Sequence, residues 1–112
     1  MPFAYIFFEQ LKNSREGKLI MKDISKAIVI VTNASVHAVA LKYEDDTDDA
    51  PVVIEKGDYK LAEKIIATAK EKNIPIIERK LLTRDLYCNV KVGEFIDEDY
   101  FKAVAEILAQ VY

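Results

Sequence analysis

His37 is the only histidine in the chain and Cys88 the only cysteine. The side chains that most often serve as bases, nucleophiles or metal ligands therefore occur once each. A metal site or a catalytic triad needs partners, and no Cys/His cluster exists to supply them. His37 shares its face of a predicted strand with Val39, Leu41 and Tyr43, which suits a structural, hydrogen-bonded imidazole. Cys88 follows Tyr87 near the end of a short predicted helix. Only Arg84 stands at a spacing that could favour the thiolate, so a packed thiol is expected. The run Glu44-Asp45-Asp46-Thr47-Asp48-Asp49 lacks the glycine and the distant glutamate of a calcium loop and reads as a solvated turn. The three glycines form neither G-x-x-x-x-G-K-[ST] nor G-x-G-x-x-G, which excludes nucleotide binding through those loops. Asn33-Ala34-Ser35 fits the glycosylation pattern. No modification is expected there, because no export signal is recognised. The residues thus predict no catalytic centre, no cofactor and no bound metal.

The elements that hold these residues follow from periodicity. Ala27 to Thr32 is a β-branched run and reads as a buried strand. Asn33-Ala34-Ser35 breaks it, and Val36 to Tyr43 resumes as a second strand. Pro51 to Ile54 predicts a third, closed by Lys56-Gly57. Asp58 is placed to cap a helix running to about Asn73, with Leu61, Ala62, Ile65, Ile66 and Ala69 as its apolar stripe. Ile74 to Ile77 is a short strand whose Pro75 points to an edge. Leu81 to Cys88 reads as a short helix. Asp97 opens a last one, with Phe101, Val104, Ala105, Leu108 and Val111 expected to face the core. Gly57 and Gly93 each follow a strand-like run and are expected to need positive φ. The order predicts a single α/β domain: a mixed four-stranded sheet packed with helices, with a crossover between the third and fourth strands. Residues 1–26 read as an aromatic segment and connector, and 27–112 as the folded domain.

Composition bounds the function classes. The chain has 112 residues, 51% of them hydrophobic, with a net charge of −3. That is enough for one core. The acidic balance and scattered Lys and Arg argue against nucleic acid as a partner. A lone cysteine fits a reducing compartment. No stretch approaches the ~20 apolar residues of a membrane span. Met1 to Phe8 is apolar, but it lacks a basic start and is interrupted by Glu9 and Gln10, so a cytoplasmic protein is expected. Phe3, Phe7 and Leu11 repeat every four residues. This helical stripe should pack on the domain or on a neighbouring copy rather than face water.

From Ile28 onwards the sequence resembles the cytosolic C-terminal domain of the FlhB/EscU/SpaS/YscU family. The resemblance rests on Val31-Thr32-Asn33, Ala38-Val39-Ala40-Leu41-Lys42-Tyr43, Ala50-Pro51-Val52-Val53 and Lys56-Gly57. It continues through Ala62, Ile74-Pro75, Leu82, Arg84, Leu86-Tyr87, Val92-Gly93 and Ala103 to Ala109. It implies a substrate-specificity switch of flagellar or injectisome type III export. The implied partners are export-apparatus membrane proteins, secretion substrates or a length-control protein. The implied location is the cytoplasmic side of the membrane export gate. Members carry a membrane domain before this one, and the sequence here reads as a stand-alone paralogue of the cytosolic half or an excised domain.

The resemblance also defines a site by its departure. Members cut themselves between Asn and Pro of Asn-Pro-Thr-His, where this chain has Asn33-Ala34-Ser35-Val36. In that reaction the Asn side-chain nitrogen attacks its own backbone carbonyl, a cyclic imide forms, and the next residue's amine leaves. Proline has no N–H to divert the reaction and fixes φ. Ala34 has an N–H and a freer backbone, and Val36 can neither orient a group nor move a proton. His37 falls one position late, where members have an aromatic residue. A non-cleaving export component that works by docking is therefore expected. The alternatives are a switch protein that still cuts slowly at Asn33, and a small regulatory α/β domain unrelated to export.

Overall fold

A computed structural model describes residues 24–34, 36–44 and 48–111. The expectations for the 3–11 stripe, for Ser35 and for the centre of the acidic run lie outside the described residues. Four strands form one sheet in the order β3-β2-β1-β4, with β1 Val29–Asn33, β2 His37–Lys42, β3 Val52–Asp58 and β4 Ile76–Glu78. β2 runs antiparallel to both neighbours, and β4 pairs parallel with β1. Parallel strands need a long connection, which helix α1, Tyr59–Glu71, supplies between β3 and β4. Helix α2, Lys80–Asn89, follows β4, and a 3-10 turn, Glu98–Tyr100, leads into α3, Phe101–Val111. This is the mixed α/β sheet that the sequence predicts.

Strand alternation divides the core in two. Ile30, Ala38 and Ala40 face α1 and are fully buried with Ala62, Ile65 and Ala69, and Ile24 joins them. Val29, Val31, Val39 and Leu41 face the other way, against Leu86 of α2 and Val104, Ile107 and Leu108 of α3. The β2–β3 register shifts at Ala40/Leu41, so that Glu55 stands opposite Ala40 but Val53 opposite Leu41. Ile54 is the extra residue of a bulge.

The third strand is longer than expected. Lys56 and Gly57 lie inside it rather than closing it. Gly57 is buried and is absent from the positive-φ residues, which include Gly93 at φ 92. The expectation thus holds for Gly93 and fails for Gly57. Gly57 answers a different need, because a Cβ there would lie 2.5 Å from Leu61 Cγ. Asp58 occupies the position before α1 but makes no capping hydrogen bond. At the far end Asn73, at φ 59, closes α1 in a Schellman turn. There Ile74 N–H donates to Ala69 O at 2.9 Å and Asn73 N–H to Lys70 O at 3.2 Å.

In α3 the expected stripe is only partly buried. Val104 and Leu108 are in the core together with Ile107, whereas Ala105 is exposed and Phe101 is 42% exposed. Cys88 is exposed rather than packed.

Candidate functional site

Two places bear on function. The first is the turn joining β1 to β2, where the sequence locates the altered cleavage motif. Asn33 and His37 are the last register pair of the hairpin, and Val36 N–H donates to Asn33 O at 2.9 Å. Ala34 is held at φ 48, a left-handed conformation that a non-glycine residue seldom adopts. Its N–H donates to Glu78 Oε1 at 3.1 Å. Glu78 reaches it because β4 pairs with β1, placing Glu78 opposite Thr32. Val36 O accepts from Tyr59 N–H at 2.9 Å, and Tyr59 is itself at φ 48. The turn is thus flanked by two strained residues and tied to both β4 and the start of α1.

His37 lies at the base of this turn against α2. Its ring centroid is 4.4 Å from that of Tyr87. Its buried Nδ1 has no hydrogen-bond partner among the described residues, so the expected hydrogen-bonded imidazole is instead one held by packing. The same cluster contains two residues that the sequence gave no reason to single out. Lys56 Nζ donates to the carbonyls of Tyr87 at 2.7 Å and Val90 at 2.9 Å. It also sits 5.2 Å from the Tyr87 ring centroid. A cation at the end of α2 satisfies carbonyls that the helix leaves unpaired and opposes the negative end of its dipole. Asp58 is the second. Burial, then the charge of the Asp58 carboxylate and a hydrogen bond to it, then Cys88, push the Tyr87 hydroxyl above its ordinary value. A lysine beside a glycine resembles a turn in sequence. Only the strand's alternation, carried through Gly57, would have placed Lys56 on the α2 face.

The second place is a groove of about 240 Å³ lined by Tyr43, Asp49, Ala50, Pro51, Phe101, Ala105 and Leu108. It lies between the end of β2, the segment leading into β3, and the first turns of α3. Asp49 supplies its one carboxylate, at the rim. Close by, Asp48 is folded back: it makes an ion pair with Lys42 Nζ at 3.2 Å and accepts from Glu44 N–H at 2.9 Å. Among the described residues, no three His, Cys, Asp or Glu side chains converge as a metal site would require. No helix among them is long and apolar enough to cross a membrane.

The chain is 43% identical over 111 residues to the flagellar biosynthetic protein FlhB of Bacillus subtilis, a match covering 99% of this chain and 31% of that protein. It is 48% identical over 101 residues to the FlhB of Helicobacter pylori, covering 90% of this chain and 27% of the relative. It therefore spans between a quarter and a third of the length of these relatives. Among solved structures, the cytoplasmic domain of FlhB from Shewanella putrefaciens superimposes with a TM-score of 0.81 at 40% identity. That match covers 85% of this chain and 73% of the other. A mutated EscU C-terminal domain gives 0.81 at 38% identity, over 83% of this chain and 92% of the other. Residues 8–111 match the family model described as FlhB HrpN YscU SpaS, and with this sheet, these helices and these relatives the chain belongs to that family.

Proposed function

We propose that this chain acts in flagellar type III export as a docking domain, and that its groove receives a short apolar segment of a secretion substrate. The carrying observation is the groove itself. Phe101 is 42% exposed beside exposed Ala105, on a helix whose remaining large apolar residues are buried. Exposed apolar surface in a concave setting is where a monomeric protein receives partners. A single carboxylate at the rim leaves the recognition chiefly to shape and apolar contact. Family membership supports the assignment to export at the cytoplasmic side of the membrane gate.

The test is complementation. The chain is expressed with an FlhB truncated after its membrane domain, and motility is scored. The unmodified chain restores motility and Ala105→Asp does not, although both accumulate to the same level. Equal motility with the two would remove the groove from the proposal.

We also propose that the chain stays whole between Asn33 and Ala34. Imide formation requires the Asn33 side-chain nitrogen to approach its own carbonyl carbon along a defined line, and orientation of that kind can supply several kcal/mol of a barrier, roughly 7–11 in well-ordered cases. Here the leaving nitrogen carries a hydrogen bonded to Glu78 Oε1 at 3.1 Å. A proline at position 34 could neither donate that bond nor adopt φ 48. This turn is therefore built for a residue with an N–H. The strain at Ala34 favours the alternative of slow cleavage, because strain can be released in a reaction. Denaturing mass spectrometry after a week at neutral pH decides between them. One species of 12.8 kDa is expected, and two fragments meeting at residues 33 and 34 would establish the cleaving alternative.

A further inference from the structure

We infer that the groove is occupied by the chain's own residues 3–11 when no partner is present, so that a partner must displace them. This rests on the reading of the groove as a docking site. The first argument is supply. Phe3, Phe7 and Leu11 recur every four residues, the spacing with which one helical face fills an apolar groove. The described part of the chain leaves an apolar groove open between Ala50, Pro51, Phe101 and Ala105.

The second argument is position. Ile28 N–H donates to Leu41 O at 2.9 Å, so the chain comes into the sheet beside the end of β2. Tyr43, two residues on from Leu41, lines the groove. Lys26 lies close to Lys42, since both line one shallow hollow. The twelve residues from Lys12 to Asp23 can extend about 40 Å, and the described molecule is 41 Å in its longest dimension. The connection is long enough to reach the groove from where the described chain begins. The third argument is charge. Lys12 directly follows Leu11, and the groove's rim carries the Asp49 carboxylate. The occupant is the chain's own segment rather than a second copy's, because a connection this short gives an effective concentration on the order of millimolar. That exceeds the concentration of other copies in an ordinary solution.

The experiment uses the full chain and a full-length variant carrying Phe3→Ser, Phe7→Ser and Leu11→Ser. A fluorescein-labelled peptide of residues 1–14 is titrated with each, and anisotropy is read. The variant should bind the peptide, the unmodified chain should bind at least about tenfold more weakly, and adding Ala105→Asp to the variant should abolish binding. Equal binding by the unmodified chain and the variant overturns the inference, as does no binding by the variant. Sedimentation over about a hundredfold concentration range separates the two sources of the segment. A monomer is expected, and a dimer lost in the serine variant would replace self-occupation by exchange between copies. The two readings fail separately. If the peptide does not bind but Ala105→Asp still abolishes motility, self-occupation falls and export docking stands. If the peptide binds as expected while Ala105→Asp leaves motility intact, the export reading falls and the occupied groove remains.

Discussion

On the α1 side the sheet presents Ala38, Ala40 and Gly57, and the helix answers with Ala62, Ile65 and Ala69, all buried. Small residues on the strands let the helix come close, and Leu61 lies directly over Gly57. On the other side the sheet presents Val29, Val31, Val39 and Leu41, and two helices share the covering. There α3 leaves Phe101 and Ala105 outside the core, beside the groove. The first interface is sealed by close approach of one long helix. The second is assembled from two shorter helices, and the space at their margin is what a partner could use. Stability should therefore be concentrated on the first side and binding on the second, and substitutions can test that division.

The largest effect should come from Ile65→Ala. Ile65 is fully buried, and truncation in a core that cannot collapse costs about 2–5 kcal/mol. Its counterpart Phe101→Ala should cost about 1 kcal/mol or less despite removing a larger side chain, since Phe101 is 42% exposed. Denaturant melts of both variants measure the contrast. Equal losses would mean that the groove margin is as integral to the core as the α1 interface.

Gly57→Ala sharpens the same point. Its new methyl would lie 2.5 Å from Leu61 Cγ, and overpacking of this kind costs roughly 1–3 kcal/mol. Leu61→Ala should relieve it, so that the double variant loses less than the sum of the single losses. Strict additivity would show that α1 shifts away without cost. Gly93→Ala should lose somewhat less, about 1 kcal/mol. It has φ 92 but nothing within 4 Å of an added Cβ, so the cost is conformational alone and no second-site truncation should relieve it.

These positions also show what the sequence could reveal. The four strands and three helices were legible because each carries its own period and its own stop: the β-branched run before Asn33, the α1 stripe, Pro75 at an edge. Gly57 was misread because a glycine after an apolar run signals a turn. Its actual role depends on Leu61, four residues later on another element, and no local pattern records that approach. Phe101 and Ala105 were misassigned to the core for a related reason. Periodicity identifies the apolar side of α3 but not how much of that side the sheet is wide enough to cover. At the β1–β2 turn the altered motif was legible by resemblance. Glu78 was not, since its contact with Ala34 exists only because β4 returns beside β1.

The smallest effect is expected where the closed core meets the α2 side, at Tyr87, and it appears only in alkali. Burial and the neighbouring Asp58 carboxylate raise the pKa of its hydroxyl above the ordinary 10.0. A tyrosine is neutral while protonated, so a raised value means that the folded chain holds this proton more tightly than the unfolded chain does. The resulting stabilisation is present in full below the unfolded value and is lost as pH rises from there through the folded one. In Tyr87→Phe there is no proton to lose. The stability difference between the unmodified chain and this variant should be constant from neutral pH to about 9 and should shrink above about 10. Lysines that titrate in the same range are common to both chains and largely cancel in the comparison. Urea melts at half-unit pH steps would measure it. Parallel stability curves through pH 11 would mean that Asp58 and burial do not act on the hydroxyl, and that the ring's contact with His37 is the whole of Tyr87's contribution.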